Sequence, residues 1–126
     1  MELIKHDEGL LRQPPMPNAP TVTVLIGGVE GGPDVGLVRV QVPPGAGMAA
    51  HRHQGSDVIL TPTSGMVRIT KGAESVDVNV GDSVLVGKDE AVALTNPGSE
   101  PADLLVAAGP ANFVAGIRNW PEPATD

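Results

Sequence analysis

Hydrophobic positions recur along this chain with a period of two, in short runs separated by glycine, proline and asparagine. Such alternation places every second side chain on one face of a β-strand. Thr21 to Ile26 is the first run. Val35 to Val42 sets Val38, Val40 and Val42 on a core face and Leu37, Arg39 and Gln41 on a solvent face, and Pro43-Pro44-Gly45 ends it. Asp57 to Thr61 is closed by Pro62. Between Gly65 and Gly72 lies a short strand in which Arg68 points outward. Ser75 to Val80 sets Val76, Val78 and Val80 inward and Asp77 and Asn79 outward. Ser83 to Val86, Ala91 to Thr95 and Ala102 to Ala108 complete the series. Short strands at turn spacings of about 8 to 12 residues predict an all-β sandwich or barrel. No segment keeps a helical period over three turns.

The two ends depart from this rhythm. Residues 1–20 are rich in proline and predict an irregular N-terminal arm. Residues 111–126 predict one helical turn around Phe113 and then a proline-containing tail. The length of 126 residues suits one domain with one core. Thr21 to Ile26 reads as an exposed apolar edge that needs covering, and a homodimer is expected from it.

Composition removes several classes of function. The net charge is -7, from 8 basic and 15 acidic residues, without a basic cluster, so neither nucleic acid nor an anionic membrane is an expected partner. There is no cysteine, hence no disulfide, thiol nucleophile or thiolate metal site. The first residues lack the apolar stretch of a signal peptide, and Leu104 to Ile117 is too short and broken to span a bilayer. A cytoplasmic protein is the expectation. Phe113 and Trp120 are the only aromatic residues besides histidine, which predicts an aliphatic core and argues against a stacking pocket for flat ligands.

The candidate chemistry sits after the Pro-Gly turn. His51 and His53 stand one residue apart, which directs both imidazoles to one side of a strand, and Asp57 follows four residues later. Two imidazoles and a carboxylate form a ligand set for a divalent transition metal such as Fe, Mn, Ni or Zn. Only one other histidine, His6, exists. The glycine-rich segment Gly27 to Pro33 lacks the Lys-Ser/Thr ending of a phosphate loop and reads as a flexible hairpin. Arg52 alternates away from the histidines, and Asn96 reads as a turn residue before Pro97.

With these residues in place the chain resembles the cupin superfamily. That family's first motif runs Gly, five residues, His, one residue, His, three or four residues, Glu, and a spacer to Gly. It is matched by Gly45, His51, His53, Asp57 and Gly65, with Asp for Glu. Its second motif, aligned from Gly81, reads Gly81, Gly87, Asp89, Val92 and Asn96, so that Val92 stands where the family has its third histidine. The resemblance implies a cupin jelly-roll β-barrel of two antiparallel sheets joined by Greek-key connections, with a barrel core over residues 35–108 and the whole chain, 1–126, as one domain. It implies a small polar ligand in the barrel and a metal on His51, His53 and Asp57, with Val92 and Leu94 forming an apolar wall. Oxygenase, isomerase and lyase activities are open on this reading. So are a metal-free, non-catalytic binding or sensing role and metal-free isomerase or epimerase chemistry with a histidine base.

Overall fold

A computed structural model describes residues 1–124, and residues 125 and 126 of the expected tail lie outside the described residues. Ten strands and one short helix are arranged in two antiparallel sheets. The six-stranded sheet has the order β1-β2-β3-β10-β5-β8, with β1 at Leu10–Arg12, β2 at Thr21–Ile26, β3 at Gly36–Val42, β5 at Asp57–Ser64, β8 at Val84–Val86 and β10 at Ala102–Gly109. The four-stranded sheet has the order β4-β9-β6-β7, with β4 at Gly47–His51, β6 at Val67–Lys71, β7 at Glu74–Val78 and β9 at Val92–Thr95. Neighbours distant in sequence, such as β3 beside β10 and β10 beside β5, give the crossovers of a jelly roll. The all-β, two-sheet expectation therefore stands.

Alternation decides which residues fill the space between the sheets. Val38, Val40 and Val42 are buried, and Gln41 between them is exposed. On β10, Ala102, Leu104, Val106 and Ala108 point inward. From the facing sheet come Val67, Ile69, Val92 and Leu94. Each valine, leucine or isoleucine among them, taken out of water, stabilises the fold by roughly 1.5–3 kcal/mol. Arg68 lies outward as expected and meets its cross-strand partner Asp77 at 2.7 Å.

Four expectations are corrected. The N-terminal arm is not wholly irregular, because Leu10, Leu11 and Arg12 pair with Val24, Thr23 and Val22. That pairing covers β2, so Thr21 to Ile26 is not an edge and the reason given for a homodimer falls away. Proline does not close β5, which continues through Pro62 to Ser64. Its neighbour β8 pairs only with Val58, Ile59 and Leu60, so at Pro62 that side of the strand carries no ladder for a missing N–H to interrupt. Of Val76, Val78 and Val80, expected inward, only Val78 is buried; Val76 is 43% exposed on β7, an outer strand of its sheet, and Val80, 59% exposed, lies in the turn after β7 ends.

The C-terminal segment closes one end of the barrel. The cis Gly109-Pro110 peptide follows β10, and α1 spans Asn112–Ile117, where the helical turn around Phe113 was expected. Arg118 Nε donates to the Gly27 carbonyl, Arg12 Nε to the Arg118 carbonyl, and Gln13 N to the Pro121 carbonyl. The glycine-rich segment serves this closure. Gly28 has φ +83°, and a Cβ there would lie 2.8 Å from the backbone of Ala115 in α1. Close packing against the helix, rather than a phosphate cradle, explains the glycine. Among the described residues no helix is long and apolar enough to cross a membrane.

Candidate functional site

The site lies between the sheets under α1. Strand β4 carries Met48 and His51, and its pairing with β9 opposes His51 to Val92. The strand ends at His51, so His53 is held by a turn. Ser56 N donates to the His53 carbonyl, and the turn needs left-handed backbone at Gln54 (φ 29°) and Gly55 (φ 80°). A non-glycine residue at such an angle is a local cost retained where the surroundings demand it. Ser56 is fully buried. Its hydroxyl donates to the Pro110 carbonyl and accepts a hydrogen bond from Phe113 N. Helix α1 has no side-chain cap of its own, since Ala111 occupies that position, so Ser56 supplies the acceptor that the helix start lacks.

His51 and His53 meet edge to face, with ring centroids 4.9 Å apart, and Phe113 stands edge to face on His53 at 4.8 Å. His51 Nδ1 lies 2.8 Å from the Ala49 carbonyl. A carbonyl only accepts, so Nδ1 carries the proton and Nε2 of the neutral ring keeps a lone pair. His53 is 4% exposed, and its Nδ1 has no hydrogen-bond partner, the one such buried side-chain atom among the described residues. Burial, and then the neighbouring His51, push its pKa down from 6.5 to about 4. The ring is neutral at physiological pH, because an imidazolium there would lose its hydration without gaining a counter-charge.

Both histidines line a cavity of about 40 Å³. Its other thirteen lining residues are apolar, among them Val38, Leu60, Leu94, Leu104, Val106 and Val92. The apolar wall expected at Val92 and Leu94 is present. Phe113 and Trp120 also line it, so the chain's only two non-histidine aromatic residues are both spent at this one place. Two aromatic faces are thus present at the cavity despite the low aromatic content of the chain. Outside the cavity a wider depression of about 210 Å³ adds Met16, Arg52, Gln54 and Gly116. The two spaces share Met48, His51, Phe113, Ile117 and Trp120 as their partition. Arg52 is exposed, and its Nε donates to the Asp89 carbonyl.

Asp57 does not join the histidines. It is exposed, and its Oδ1 accepts a hydrogen bond from Lys88 N at 3.0 Å. It borders a depression on the outer face of the six-stranded sheet with Val35, Ile59 and Leu85. The reason is strand parity. Val58 and Leu60 of β5 point inward, so Asp57 and Ile59 point outward. Among the described residues no three His, Cys, Asp or Glu side chains converge. The donor set expected for a transition metal is therefore reduced to two imidazoles, with Val92 opposite His51 and no carboxylate at hand. That set does not fit a three- or four-ligand protein site.

Asn96, read as a turn residue, does more than turn the chain. It is 1% exposed; its Oδ1 accepts from Gly98 N while its Nδ2 donates to the carbonyls of Val42 and Glu100. It thereby ties β9 to the end of β3. Two contributors were not signalled by the sequence. Ser56 is an ordinary small polar residue next to a glycine, and no spacing marks its contact with Pro110 and Phe113. Trp120 lies in the tail, and only its rarity could have drawn attention to it.

A comparison with protein families matches residues 38–108 to the Cupin_2 cupin-domain family, and the chain belongs to it. Solved structures agree in fold. A predicted oxalate decarboxylase from Thermotoga maritima superposes with TM-score 0.73 at 16% identity, over 86% of this chain and 98% of that one. A conserved protein with a double-stranded β-helix domain from Klebsiella pneumoniae gives 0.70 at 21% identity, over 90% and 93%. The Cupin_2 domain of an XRE family transcriptional regulator from Enterobacter cloacae gives 0.59 at 19% identity, over 70% and 93%. No curated protein matches the chain.

Proposed function

We propose that this cupin binds a small molecule in the barrel around His51 and His53, and that it does so without a resident metal ion. The observation that supports the reading is the division of the expected ligand set across the barrel wall. The two imidazoles line an apolar cavity, and Asp57 is bonded to Lys88 N on the outside. In its place, recognition falls to the lone pair of His51 Nε2 and to the ring nitrogens of His53, held in fixed orientation by Ala49, Phe113 and the Gln54–Ser56 turn. Phe113 of helix α1 and Trp120 beyond it line the cavity on the side of the helix. The arrangement binds and orients; it places no carboxylate beside the imidazoles to serve as a partner in proton transfer. The similarity to a domain of a transcriptional regulator accords with a binding or sensing role.

The test uses protein purified without a histidine tag. Metal analysis is expected to return no stoichiometric transition metal, and added Mn, Fe, Ni or Zn is expected to shift the melting temperature no more than in the variant His51→Ala/His53→Ala. A stoichiometric ion that is lost in the double variant would overturn the metal-free reading.

A further inference from the structure

The chemistry of the cavity wall selects among ligands, and this selection rests on the binding role proposed above. No lysine, arginine, aspartate, glutamate, asparagine or glutamine side chain lines the inner cavity. A carboxylate or ammonium placed there would lose its hydration and meet no opposite charge. The histidines nevertheless leave hydrogen-bonding capacity unused. His51, with Nδ1 committed to Ala49, presents a lone pair at Nε2. His53 keeps its buried Nδ1 without any partner. His51 Nε2 calls for a donor, and a head group that also accepts suits either tautomer of His53. A hydroxyl or a carboxamide does both, and a carboxylate only accepts.

Size adds a second restriction. At about 40 Å³ the inner cavity is far below the roughly 150 Å³ that holds a benzene ring, so it takes an aliphatic body of only one or two carbons. A longer ligand must part Phe113, Ile117 and Trp120 to reach the outer depression. We propose that this pocket takes an uncharged, short-chain aliphatic molecule with one hydroxyl or carboxamide head, its chain packed against Leu94, Leu104 and Val106 and its head met by His51 and His53. The dicarboxylates named for some proteins of similar fold are then not its ligands.

Trp120 is the only tryptophan and lines the cavity, so its fluorescence reports filling. The wild-type protein is titrated at neutral pH with ethanol, acetamide, acetate and oxalate, following Trp120 emission and the ring-proton resonances of His53. The expected result is saturable binding of ethanol or acetamide, with acetate and oxalate weaker by at least about tenfold. Acetate or oxalate binding as tightly as the neutral probes, with the same Trp120 and His53 signals moving, would overturn the ligand class and leave the pocket reading standing. Failure of all four probes to move either signal would overturn both.

Discussion

His51 and Asp57 stand six positions apart in the chain, yet they face opposite sides of the barrel wall. On the inner side His51 and His53 look into an apolar cavity. On the outer side Asp57 heads a row of apolar residues: Leu85, 69% exposed, pairs with exposed Ile59, which pairs with exposed Ala107, which pairs with half-buried Leu37. Two local devices produce the separation. The Gln54–Gly55 turn reverses the chain after His53 and carries it from one sheet to the other. The first inward residue of β5 is then Val58, which sends Asp57 out. The lesson is that a metal-ligand spacing in sequence assembles a site only when the intervening turn preserves the facing of the side chains.

The largest contrast between the two sides is energetic. Leu104→Ala removes a fully buried side chain from the cavity wall and is expected to destabilise the fold by about 3–4 kcal/mol, whereas Leu85→Ala on the outer face is expected to change stability by less than about 0.5 kcal/mol. Chemical denaturation of both variants checks this, and comparable losses would erase the distinction between inside and outside.

The next effect is a pH dependence belonging to the inner side alone. The folded-state pKa of His53 is about 4, against 6.5 for a free imidazole. Between these values the unfolded chain binds a proton that the folded chain does not. The group's contribution is therefore complete above pH 6.5 and is lost as the pH falls toward 4, with no further loss below. The shift corresponds to about 3 kcal/mol across the window. In His53→Leu, which replaces an unpartnered polar ring by an apolar side chain, this part of the acid destabilisation is expected to vanish while stability at neutral pH is held or raised by about 1 kcal/mol. An unchanged acid profile in the variant would show that the ring is not buried neutral.

Ser56→Ala probes the link between the histidine turn and the covering helix. It leaves the Pro110 carbonyl and Phe113 N without their shared partner and is expected to cost about 1–2 kcal/mol. Faster amide exchange at Phe113 and a shifted Trp120 emission would accompany it; exchange unchanged from wild type would mean that the helix start does not depend on Ser56. The smallest effect is expected at Asp57→Asn, within about 0.5 kcal/mol in stability and without change in ligand or metal binding. A loss of binding in that variant would return Asp57 to the site.

Much of the barrel was legible from alternation. The β3 valines, the outward Arg68 and the β9 wall of Val92 and Leu94 each follow from period two between turns. Asp57 was not, because Val58, Ile59 and Leu60 are all apolar and do not reveal which of them faces the core. The exposure of Val76 and Val80 was hidden for a related reason: alternation says which residues share a face, and only the neighbouring sheet says whether that face is covered. β1 escaped notice because three residues carry too little pattern to stand out in a proline-rich arm.

The sequence by itself determined the strand rhythm, the family motif, the position of the histidine pair and the loss of a third imidazole at Val92. These are properties of local spacing and residue type, which the chain carries in one dimension. Only the tertiary structure decided that Asp57 leaves the site, that Ser56 caps α1, and that Phe113 and Trp120 cover the cavity. Those relations depend on a turn's handedness and on contacts across more than fifty residues, where periodicity holds no information.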